Sequence, residues 1–172
     1  MAASRFSKQS LWLCCPPAAL CILDGVLTLF GQPVEYWQAD YANVSEMSPS
    51  FNALLQIHPI AFLLGTLTWL VIISLLILLL PSTWALIFSV AATMGHTVGA
   101  ATWILWRFDH GYNALIALVF LTSALVVFTL RKGQRESGQA AIDWSRTGLP
   151  PWSRWIAIAF LLALAVALFV RP

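Results

Sequence analysis

Apolar residues fall in long runs along this chain, and polar residues collect between the runs. The runs cover about residues 11–30, 57–80, 83–106, 113–130 and 152–170. Each approaches the ~20 residues that carry a helix across a ~30 Å hydrocarbon core. The pattern predicts an all-α integral membrane protein: a bundle of five transmembrane helices forming one domain over residues 1–172. Pro81-Ser82 marks a tight turn between the second and third spans, and a polar linker precedes the fifth.

The segment between the first two spans breaks the pattern. It reads QPVEYWQADYANVSEMSPSFNALLQIHP, with three acidic residues, several aromatic ones and no Lys or Arg. SPSFNALLQ within it predicts a short interfacial helix, with Ser48 as cap and Pro49 in the first turn. The aromatic rings give the segment apolar surface to bury, so it is expected to be ordered.

Composition closes off other classes. Hydrophobic residues make up 60% of the chain and charged ones 9%, more apolar surface than a soluble fold of this size can hide. The net charge of +2 gives no footing for nucleic acid; the expected surroundings are the lipid bilayer and, in one reading, other membrane subunits. Arg5 and Lys8 precede the first span, and Arg131, Lys132, Arg135, Arg146 and Arg154 lie between the fourth and fifth. The positive-inside rule puts both groups in the cytoplasm, so the chain is expected in the inner (cell) membrane, N-terminus inside and C-terminus periplasmic. Cys14, Cys15 and Cys21 lack metal-ligand spacing and read as packed thiols. The first span also lacks the small-x-small cleavage site of a signal peptide. Asn43-Val44-Ser45 fits a glycosylation sequon, with no other sign of a secretory protein.

Asp24 lies within the first span, where a charged side chain costs a few kcal/mol or more. Helical spacing shows what can meet it. Cys14, Pro17, Cys21, Asp24 and Thr28 share one face of span one. His58, Ala61, Gly65 and Thr68 share a face of span two, and Ser89, Ala92, His96, Gly99 and Trp103 a face of span three. Small and polar seams of this kind face the interior of a bundle. With a rise of ~1.5 Å per residue, Asp24 and His96 both come about 20 Å up from the inner ends of their helices. Thr28, Thr66 and Thr68 are expected around this pair, and His58, Glu46 and Glu35 at an outer mouth above it. Gly95 and Gly99 form a small-xxx-small pair that supports helix packing.

Three chemistries can be weighed. Asp24, His96, His58 and Glu46 could together ligate a divalent metal ion, provided that the loop folds inward. The depths argue against bis-histidine haem, because His58 stands about 10 Å or more above His96 by the same rise. Enzyme chemistry has little support and no catalytic residue can be assigned: no His-Glu-x-x-His helix occurs. GHTVGA is similar to the histidine helix of rhomboid-type proteases, but their Gly-x-Ser-Gly is missing.

The sequence Asp24-x-x-x-Thr28, followed after a short loop by Glu46-Met47-Ser48-Pro49, resembles a family of small uncharacterised bacterial membrane proteins. That family carries Asp-x-x-x-Thr in its first helix and Glu-x-Asn-Pro after it. Ser48 stands where its pattern has Asn, and the resemblance covers the first half of the chain. It implies that Asp24, Thr28, Glu46 and Pro49 form a unit, with the loop folded back over span one. The function expected from all this is a buried Asp/His site opening to the outer face, binding a metal ion or handling protons. The alternative is a non-catalytic accessory or structural subunit of a larger membrane complex.

Overall fold

The computed structural model describes residues 8–107 and 111–138, which are helical and contain no strand. Six helices follow one another: α1 (Lys8–Gly31), α2 (Val34–Gln38), α3 (Pro49–Ile57), α4 (Pro59–Leu79), α5 (Ser82–Arg107) and α6 (Gly111–Glu136). Four of them, α1, α4, α5 and α6, are long and apolar enough to cross a membrane. They correspond to the first four expected spans, each within a few residues except α6, which runs on to Glu136. The fifth expected span, with Arg146 and Arg154, lies outside the described residues.

α1 and α5 form the central pair, each packed against both α4 and α6, while α4 and α6 do not pack on each other. Leu13, Ile73, Ile77 and Ala85 knit α1, α4 and α5 together near the Lys8 end. Leu20, Ala100 and Leu118 do the same for α1, α5 and α6 higher up. Along α4 and α6, Leu, Ile, Val and Phe side chains are exposed, a surface of the kind that suits a bilayer.

α1 holds two consecutive prolines, Pro16 and Pro17, in its interior. Proline has no N–H, so Pro17 leaves the carbonyl of Leu13 without its helical donor. The buried Ser89 hydroxyl of α5 donates to that carbonyl at 2.5 Å. A neighbouring helix thus restores the hydrogen bond, as the interior of a membrane requires.

The two polar ends are tied differently. At one, Trp12 Nε1 of α1 donates to Glu136 at the end of α6, which also pairs with Lys132 at 3.2 Å. Lys8 and the basic end of α6 therefore lie at the same end of the bundle. At the other, Arg107 Nε donates at 2.8 Å to the carbonyl of Gly31, an orphan acceptor at the α1 C-terminus.

Candidate functional site

The chain between α1 and α4 packs back on the bundle. Gln32, buried at the end of α1, does most of the tethering: its amide donates to the carbonyls of Thr28 and Ser45 and accepts from the Ser45 N–H. Tyr36 of α2 is fully buried and donates to the Leu55 carbonyl of α3 at 3.1 Å. Phe51 stacks edge-on against Phe62, and Asn52 donates to the Glu46 carbonyl. The segment is thus ordered, although Trp37 and Met47 remain exposed. Its chain reversal puts Asp40 and Tyr41 in the left-handed region, at φ 48° and 65°, which is costly for a tyrosine. The packing of Tyr41 against Tyr36, Trp37 and His58 holds it there.

Beneath this segment lies a cavity of about 360 Å³ between α1, α4 and α5. Asp24 and His96 meet at its wall, with His96 Nδ1 2.9 Å from Asp24 Oδ2. The geometry suits an imidazolium donating to a carboxylate, or a neutral pair sharing the proton. The side chains are 21% and 15% exposed, so each keeps one edge open to the cavity. Gly99 makes the approach possible, since a Cβ there would lie 2.6 Å from both carboxylate oxygens. Gly95, one turn earlier, opens on the cavity and touches nothing within 4 Å, so it does not share the packing role expected of the pair. Cys21, buried one turn from Asp24, interacts with the same imidazole.

Thr28 and Thr66 also line the cavity. So does Glu46, carried over it by the Gln32 tether, with its Oε1 accepting from the Ser48 N–H at 2.8 Å. Burial pushes the Glu46 carboxyl above the ordinary carboxylate range; the N–H of Ser48 opposes this and the charge of Asp24 adds to it. Ser48 precedes α3 but makes no side-chain cap, and its backbone is committed to Glu46 instead.

Three expected members stand elsewhere. His58 is exposed; its Nδ1 accepts from the Ile60 N–H, so it caps α4, and its ring packs on Tyr41. Thr68 is exposed and donates to its own helix at Leu64. Glu35 is exposed in the first turn of α2. For Thr68 the reason is which face of α4 turns inward. Phe62, Thr66, Trp69 and Ile73 point into the cavity, while Gly65 lies on the next face, where Leu54 of α3 fills the space over it. The expected four-ligand metal set therefore does not converge: among the described residues no three His, Cys, Asp or Glu side chains are grouped to hold a metal ion.

Gln32, Trp69 and Phe62 were not anticipated as parts of the site. Gln32 could have been noticed as the polar residue between the last apolar turn and Pro33, while Trp69 reads as an ordinary lipid-facing residue. No family model, curated protein or solved structure matches the chain.

Proposed function

We propose that this is a small multi-pass inner-membrane protein whose Asp24–His96 pair takes up and releases protons at the wall of a cavity on its outer side. The observation that carries the reading is the 2.9 Å contact between the two side chains at the edge of a 360 Å³ cavity. An acid and a base this close titrate as a unit, and proton relays are among the roles that ionisable groups within membrane spans mark. The second carboxyl at Glu46 supports the reading, because it gives protons a further station toward the loop. The sidedness follows from the basic residues, with the Lys8 and Lys132 end in the cytoplasm and the 32–58 segment in the periplasm. The likeness to the Asp-x-x-x-Thr family fits the same arrangement, since Asp24, Thr28 and Glu46 line one cavity. Proton handling is preferred to metal binding because His58 caps α4 and leaves too few ligands around any one point.

The test is nitrogen NMR of histidine-labelled protein in lipid nanodiscs. His96 is expected to titrate in the wild type and to titrate at a different pH in Asp24→Asn. An imidazole that stays neutral throughout, or that titrates identically in both proteins, would overturn the reading.

A further inference from the structure

The walls of the cavity say more than the pair alone. Phe51, Phe62, Trp69 and Trp103 contribute four aromatic rings, and Asp24 and Glu46 two carboxyl groups. Among the described residues, the titratable groups that line it are Cys21, Asp24, Glu46 and His96, and no Lys or Arg does. The one arginine at this end of α5, Arg107, is turned to the Gly31 carbonyl.

This lining selects a class of ligand. An anion would meet two carboxyl groups, and the one cation among the described lining residues, the His96 imidazolium, is already paired with Asp24. An inorganic ion would need a tight cage of oxygen or nitrogen donors, and among the described residues no three His, Cys, Asp or Glu side chains are grouped to form one. A neutral apolar molecule would use the rings but strip water from the open edges of the two carboxyl groups. A small organic cation meets every requirement: rings attract a cation through their faces, and carboxylates neutralise it. The volume of about 360 Å³ suits a molecule of that size.

Charge balance then links the ligand to protons. In the empty cavity, Asp24 and His96 balance each other as an ion pair, and Glu46 adds no charge at pH values low enough for it to hold its proton. An entering cation leaves one positive charge in a poorly solvated space. Ionising Glu46 restores neutrality, with the O–H bond broken and the proton passing to solvent. We propose that the cavity binds a small organic ammonium ion beside Asp24 and Glu46, and that Glu46 gives up its proton as the ion enters. The inference rests on the reading of Asp24 and His96 as a protonated pair. Burial and the nearby Asp24 charge, which favour the neutral form of Glu46, agree with it.

The experiment uses the full chain in non-ionic detergent, with choline as probe and its uncharged isostere 3,3-dimethylbutanol as control. Calorimetry in buffers of different ionisation enthalpy reads both affinity and protons released. Choline is expected to saturate one site, with the alcohol at least about tenfold weaker. On the acid side of the Glu46 titration, choline affinity is expected to rise by up to about tenfold per pH unit. Glu46→Gln is expected to keep weakened binding and lose the proton release, and Trp69→Leu to weaken binding about threefold. Equal binding of the two probes, binding without proton release, or no saturable binding would overturn the proposal. If His96 titrates with Asp24 while choline fails to bind, this inference falls and the proton reading stands.

Discussion

At the scale of single residues, the glycines of α5 separate packing from open space. A Cβ at Gly99 would press on the Asp24 carboxylate, whereas one at Gly95 would enter the cavity freely. Gly99→Ala is therefore expected to destabilise the fold by about 1–3 kcal/mol and to disturb the His96 titration. Gly95→Ala should stay within about 0.5 kcal/mol of wild type. Unfolding in mixed micelles measures both, and equal costs would contradict the geometry. The ionic partners differ in a similar way. His96→Ala leaves a carboxyl facing α5 without its partner and is expected to cost about 3–5 kcal/mol. Asp24→Asn should cost less, because an amide can still hydrogen-bond the imidazole. A double-mutant cycle with coupling near zero would show that the contact does not hold the helices together. The meeting of Asp24 and His96 was legible in the sequence, because both interrupt apolar spans at matching depth and only histidine there can become a cation. The positions of His58 and Thr68 were not legible. A polar residue on a helix does not announce whether its partner is its own backbone, and both residues spend their hydrogen bonds locally.

At the scale of elements, α1 and α5 share one repaired hydrogen bond. Ser89→Ala should orphan the Leu13 carbonyl and cost about 1–3 kcal/mol. Pro17→Ala returns a backbone donor to that carbonyl, so in its presence Ser89→Ala should cost much less. Additive costs in the double variant would mean that the hydroxyl does not serve the proline gap. The segment over the cavity responds to pH through Glu46. Its carboxyl binds a proton more tightly when packed than when free, because burial raises its pKa from the ordinary 4.5. The packed segment therefore binds more protons than the loosened one, and its stability falls as pH rises from about that ordinary value through the raised one. Hydrogen exchange over residues 44–49 should quicken across that window beyond the chemical rate, and Glu46→Gln should remove the effect. The four long helices were legible from run length alone. The face of α4 was not, because that helix is apolar all round and offers little contrast to orient it. The packing of Ile73 and Ile77 on α1 and α5, and of α3 over Gly65, fixes which side turns inward, and that depends on contacts with separate segments.

At the scale of the whole molecule, the basic ends of α1 and α6 lie together and the 32–58 segment belongs to the opposite end. An impermeant thiol reagent applied to spheroplasts should label Met47→Cys and spare Glu136→Cys. Labelling of Glu136→Cys alone would invert the orientation. The central place of α1 also bears on how the chain is made. Its partners come late: Asp24 waits 72 residues for His96, the Leu13 carbonyl 76 for Ser89, and the Gly31 carbonyl 76 for Arg107. At ribosomal speeds of about 5–20 residues per second, that delay is roughly 4–15 seconds. For that time α1 carries an unmatched acid, a proline gap and an uncapped end. Whatever shelters these groups must let go when α5 arrives, so the helix that later sits at the centre is the one left waiting while the chain is made.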